Sequence, residues 1–148
     1  MTSNMAQTQG RTAVPQLAGI NHLGLTVPDV EASEAWYGRV LGLSRLFVET
    51  HHRGTGYTVV LHRPDSPQFT LGLDQHQANR GERFDECRTG LDHVAFRVAD
   101  RTELDAWAEH LERQGVPHAG ITERTEPFPY AVLVFRDPDN IQLELIWY

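Results

Sequence analysis

The chain repeats itself, and that repetition constrains its fold more than any other feature. "INHLGLTVPDVEASEAWYGRVLGL" from Ile20 and "LDHVAFRVADRTELDAWAEHLERQGV" from Leu91 align so that His22 falls on His93, Asp29 on Asp100 and Trp36 on Trp107, each pair 71 residues apart. Further on, "YTVVLHRPDSPQFTLGL" from Tyr57 matches "YAVLVFRDPDNIQLEL" from Tyr130 at a spacing of 73. Leu71-Gly72-Leu73 then matches Leu143-Glu144-Leu145 at 72. Self-similarity on this scale predicts two copies of one supersecondary unit. We place the units at about residues 18–74 and 89–148, joined by a polar linker, 75–88. Together they make a single domain, residues 17–148, after a flexible polar tail, residues 1–16.

Each copy reads as βαβββ, an α+β unit. Leu23, Leu25 and Val27 alternate along a first strand, as do Val94, Phe96 and Val98. Asp29 and Asp100 stand where helix N-caps are expected. Leu104, Trp107, Ala108 and Leu111 then recur at helical spacing, as do Trp36, Tyr37, Val40 and Leu41, so both tryptophans are read as core residues. Gly42 and Gly115 end the two helices, and three short strands follow, punctuated by Gly, Pro and Asp. In the last strand Ile141, Leu143, Leu145 and Trp147 form the inner face. Gln142, Glu144, Ile146 and Tyr148 form the other.

The same alternation places two histidines. Ile20, His22, Gly24 and Thr26 share the strand face turned away from the helix, as do Leu91, His93, Ala95 and Arg97. The residue two steps after each histidine is small, which leaves room beside the imidazole. His51, His52, His62, His76, His110 and His118 have no repeat partner and are read as surface or packing residues.

Composition excludes several functions. The net charge is −7 and there is no basic patch, which argues against nucleic acid and anionic membranes as partners. All thirteen basic residues are arginine, so Schiff-base and lysine-base chemistry are absent. One cysteine, Cys87, allows no internal disulfide, and no apolar run reaches membrane-spanning length. A cytoplasmic setting is expected.

The motifs "NHLGLTVPDVEASEAWYGRVLGL", "LDHVAFRVAD" and "FRDPDNIQLEL" resemble the vicinal oxygen chelate superfamily, the glyoxalase, bleomycin-resistance and extradiol-dioxygenase group. The resemblance covers nearly the whole chain from Leu17 on. It implies paired βαβββ units forming a curved mixed sheet around a metal-binding cavity. It also implies ligands on the first and last strands of each unit. Carried over, those ligands fall on His22, His93 and Glu144, while the fourth position falls on Gly72, which has no side chain. Two imidazoles and one carboxylate suit Fe(II), Mn(II), Ni(II), Co(II) or Zn(II) without choosing among them.

What the resemblance implies about activity is a divalent-metal-dependent enzyme that chelates two oxygens of a small metabolite or drug. The alternatives are a metal-free drug-sequestering protein and an Fe(II) extradiol-type dioxygenase. Glyoxalase I-like enzymes place a glutamate where Gly72 stands, and extradiol enzymes a tyrosine about ten residues before the last ligand, where this chain has Val134. The superfamily also leads us to expect a homodimer, its two units pairing within one chain or across two. Tyr130 is a candidate to donate to a bound oxyanion. Arg97 is a candidate to meet an acidic substrate group, or to pair with Glu126 or Asp74. Phe128, between two prolines, reads as a packed loop anchor.

Overall fold

Strand β1, His22–Thr26, turns Leu25 inward and leads through Asp29 into helix α1, Val30–Leu41. Asp29 accepts a hydrogen bond from the Ala32 amide and so satisfies one orphan donor of the first turn. Gly42 ends the helix at φ +68°, a left-handed conformation that costs glycine nothing. Strands β2 (Ser44–Thr50), β3 (Gly56–Arg63) and β4 (Ser66–His76) follow. The second unit repeats the plan: β5 (Val94–Arg97), α2 (Arg101–Arg113), β6 (His118–Arg124), β7 (Tyr130–Arg136) and β8 (Gln142–Trp147). The fold is a computed structural model that describes Val14 and residues 16–148. The tail expected at residues 1–16 lies outside them apart from Val14 and Gln16, both exposed.

The strands form two four-stranded mixed sheets, ordered β1-β4-β3-β2 and β5-β8-β7-β6. In each, the first strand pairs in parallel with the last, and the other pairings are antiparallel. This is the tandem βαβββ architecture that the repeat spacing predicts. Alternation read the first strands as beginning at Ile20 and Leu91. They begin instead at His22 and Val94, and Ile20 is 85% exposed, with no core to hold it. Strand β4 runs to His76, two residues into the segment read as linker. Gln75 stays in register with Tyr57, and its side chain accepts from the Val30 amide at the helix start.

One face of each sheet packs on a helix. Val30, Tyr37, Val40 and Leu41 of α1 join Leu25, Val59, Leu61, Leu71 and Leu73; Leu104 and Leu111 of α2 join Leu133, Phe135, Leu143 and Leu145. Trp36 and Trp107 pack against this core, as their helical spacing predicts. The other face of each sheet is left to build a site. No helix among the described residues is long and apolar enough to cross a membrane.

The units are fastened together where the site-bearing strand begins. Tyr37 of α1 donates to Asp137 Oδ2 at 2.9 Å, across 100 residues of sequence. Asp137 Oδ1 accepts the amides of Asp139 (2.9 Å) and Ile141 (2.8 Å), folding the turn that delivers β8. Ser33 donates to Asp139 at 3.1 Å, and His110 Nε2 donates to the Val40 carbonyl at 2.9 Å.

Burial pushes the Asp137 carboxyl up to about 6. A carboxyl with a raised folded-state pKa holds its proton more tightly folded than unfolded. Its stabilising contribution is therefore complete below the unfolded value, about 4, and is lost as pH rises through about 6, at most about 3 kcal/mol. Asp137→Asn cannot titrate, yet its carbonyl retains both amide bonds. Denaturation curves should show wild type losing stability relative to the variant between about pH 4 and pH 6.5. A difference independent of pH would mean that the three hydrogen bonds fully offset the burial.

Candidate metal centre

The open face of the second sheet brings His93 and Glu144 together. Glu144 lies between Ala95 on parallel β5 and Val134 on antiparallel β7. His93 immediately precedes β5. Its Nε2 lies 3.6 Å from Glu144 Oε2. Two ligands bonded to one cation at about 2.0–2.2 Å stand at a comparable separation, roughly 3–3.5 Å, so this pair fits a shared metal. The Glu144 side chain is only 17% exposed, which no free-standing surface glutamate requires. Gln142 donates to its other oxygen at 3.3 Å.

Both candidate histidines are oriented by the residue before them. His93 Nδ1 lies 2.6 Å from Asp92 Oδ1, and His22 Nδ1 lies 2.9 Å from Asn21 Oδ1. An acceptor on Nδ1 holds the proton there and leaves the Nε2 lone pair for a metal. The Asp92 hydrogen bond, aided by the Glu144 charge, raises the His93 pKa. The stability this lends is present below the unfolded imidazole pKa and is lost as pH rises through the raised folded value. Because a ligating imidazole must be unprotonated, acid competes with metal at this residue.

The first sheet presents a different surface. Gly24 is in register with Gly72, and His22 with Thr70. The space left by the two glycines is taken by Asp74, two strand positions beyond Gly72. A Cβ on Gly24 would stand 2.9 Å from Asp74 Oδ2, and one on Gly72 would stand 3.5 Å from it. Asp74 Oδ1 accepts from Thr58 Oγ1 and lies 3.1 Å from His51 Nε2. A groove of about 380 Å³ runs past His22, Gly24, Phe47 and Gly72 to Asp74.

Of the candidates read from sequence, His93 and Glu144 meet and His22 does not join them. Among the described residues, the one cluster of three potential ligands within 4.8 Å of one another is His51, Asp74 and His76. His22 belongs to the other sheet of the same chain. Arg97 pairs with neither Glu126 nor Asp74; its guanidinium carbon sits 5.1 Å from the Tyr148 ring centre. Tyr148 packs on Phe128 (5.9 Å), and Phe128 on Tyr130 (5.8 Å), so Arg97 and Tyr130 bound one aromatic cluster. Phe128 is 51% exposed and is not the buried anchor its flanking prolines suggest, because it sits where β7 begins and β8 ends, with only the Tyr130 and Tyr148 rings against it. Sequence reasoning missed the His51 cluster. The available signal was that Asp74 and His76 share the strand face of Gly72.

Residues 19–145 match the sequence profile of the Glyoxalase/Bleomycin resistance protein/Dioxygenase superfamily. The chain belongs to this superfamily. A superfamily structure, the glyoxylase/bleomycin resistance protein/dioxygenase domain from Frankia sp. EAN1pec, is 34% identical, with a TM-score of 0.77 over 88% of this chain and 98% of that one. The putative ring-cleaving dioxygenase MhqA of Bacillus subtilis (strain 168) is 31% identical over 129 residues, 86% of this chain. This chain spans 39% of the length of that relative. The uncharacterized protein YaeR of Escherichia coli (strain K12) is 29% identical over 87% of this chain and 95% of its own. The superfamily includes enzymes acting on small molecules.

Proposed function

We propose that this chain is a divalent-metal-dependent enzyme whose cation is held by His93 and Glu144 of one subunit and His22 of a second, in a homodimer. The observation that carries this reading is the 3.6 Å approach of His93 Nε2 to Glu144 Oε2, with Asp92 fixing the other ring nitrogen. His22 has the same preparation from Asn21 but faces an open groove, so a partner's second sheet is the natural source of the other two ligands. The edge and face of β2 carry half-exposed Leu46, Phe47 and Val48, apolar surface that a partner would cover.

When bound, a divalent cation supplies Lewis-acid polarisation of two adjacent substrate oxygens. The chain's residues do the remainder. Glu144 offsets part of the cation's charge, Asp92 and Asn21 aim the imidazoles, and the groove past His22 and Phe47 leaves volume for a small metabolite or drug. Tyr130 shares the strand face of Val134 and therefore of Glu144; its hydroxyl is our candidate donor to a bound oxyanion. Arg97, on the face of Ala95, is our candidate for an acidic substituent. The protein works in the cytoplasm on this reading, where exposed Cys87 stays reduced.

A second reading, an Fe(II) ring-cleaving dioxygenase, is favoured by the relative MhqA and by the aromatic surface of Phe128, Tyr130 and Tyr148. The test is metal analysis of protein purified without added metal, followed by oxygen uptake with catechols after anaerobic Fe(II) loading. We expect bound metal that His93→Ala reduces by one equivalent per chain. Equal metal in wild type and variant would leave drug sequestration as the better account. Oxygen uptake abolished by His93→Ala would select the dioxygenase.

A further inference from the structure

We propose a second divalent-cation site, formed by His51, Asp74 and His76 of a single chain and suited to a borderline cation such as Zn(II), Co(II) or Ni(II). Its residues converge through local hairpin geometry. Strand alternation places Asp74 and His76 on one face of β4, beside Thr58 and Gly56 of β3. His51 immediately follows strand β2. Its amide donates to the Gly56 carbonyl at 2.9 Å, and the turn through Arg53, at φ +62°, folds its ring back over β4. The His51 and His76 ring centres are 4.6 Å apart.

The geometry suits a tetrahedral ion. Bonds of about 2.0–2.1 Å at tetrahedral angles require ligand atoms about 3.3 Å apart. His51 Nε2 and Asp74 Oδ1 stand at 3.1 Å already, and all three ligand atoms lie within 4.8 Å of one another. His76 is exposed and free to close the remaining gap. The ring of His51 offers only one nitrogen: Nδ1 is enclosed without a hydrogen-bond partner, where a Cβ on Gly56 would come within 2.9 Å of it. Thr58 donates to Asp74 Oδ1 and steadies the carboxylate. Glu49 lines the same cavity, of about 400 Å³, and leaves a fourth position to it or to water. Two imidazoles and one carboxylate give a doubly charged cation a net charge of about +1, the donor set favoured by borderline metals.

This site differs from the proposed catalytic one in a measurable way. All its ligands come from one chain, so its occupancy does not depend on protein concentration. It also touches the groove of His22, because Asp74 turns Oδ1 to His51 and Oδ2 over Gly24 and Gly72.

The test is equilibrium titration of the full chain carrying Glu144→Ala with Co(II) or Zn(II), Co(II) being read by its visible absorption. We expect one equivalent per chain, with an affinity independent of protein concentration. Adding His76→Ala or Asp74→Asn should weaken it at least tenfold. His76 is exposed, so that variant is expected to fold, and circular dichroism checks it. If Glu144→Ala protein binds no cation, or if its binding ignores all of His51→Ala, Asp74→Asn and His76→Ala, the second site is overturned. Failure of the catalytic reading looks different: wild type and Glu144→Ala would then bind the same number of equivalents.

Discussion

Replacing Glu144 with Ala should cost the protein one equivalent of bound divalent cation per chain. The affinity for that equivalent should fall at least about 100-fold, because the partners that merely orient metal ligands already command 10- to 100-fold. Glu144 is the only anionic member of the proposed set, and two neutral imidazoles replace neither its charge nor its oxygen. The measurement is equilibrium dialysis with Mn(II), Ni(II), Co(II), Zn(II) or anaerobic Fe(II). It is made in a His76→Ala background, which weakens binding at the His51 cluster. Without metal the two proteins should melt within a degree or two of each other, since a half-exposed His93 pairing is worth little. The metal-dependent rise in Tm should belong to the Glu144 protein alone. Equal rises would reduce this glutamate to a strand residue that happens to lie near a histidine.

The second large effect is a rescue. His22→Ala and Glu144→Ala chains, each expected to lack the catalytic equivalent, are co-expressed with different tags. In a mixed dimer the His22→Ala chain still offers His93 and Glu144, and the other chain still offers His22. If sites form across subunits, one of the two sites in each mixed dimer is intact, about a quarter of all sites under random pairing. If each chain built its own site, no intact site would exist. Metal content of tandem-purified mixed dimers, again in the His76→Ala background, decides between these, and the absence of any recovery would remove the shared site from the account.

Much of this was legible in the sequence, for physical reasons. A 71-residue recurrence of strand, cap and tryptophan leaves few folds open, and Asp29 and Asp100 cap their helices as their side chains dictate. The face assignments of Glu144 and His93 follow from a period of two, which tolerates no slippage when the opposite face is buried. The His51 cluster was legible only in the shared strand face of Asp74 and His76. His51 lies outside both repeats' shared pattern, and its approach to Asp74 depends on how β3 registers with β4 and how the turn at Arg53 folds back. Nor does alternation locate a strand's first residue: Ile20 and Leu91 fit the pattern, yet Ile20 is left exposed and Leu91 packs against the core without joining the ladder. The separation of His22 from Glu144 was equally hidden, because a repeat specifies each unit and says nothing of how the units dock.

That docking carries a consequence for regulation. The buried bond from Tyr37 to Asp137, with Ser33 on Asp139 and His110 on Val40, ties the two halves of the chain together. If, as proposed, the metal site of such a chain is completed by a copy of itself, abundance becomes a reactant. Diluting the protein below its self-association constant would strip the cation from the shared site, and supplying the cation would by linkage draw the subunits together. Expression level and metal supply would then act as one coincidence detector, with activity rising more steeply than either input alone.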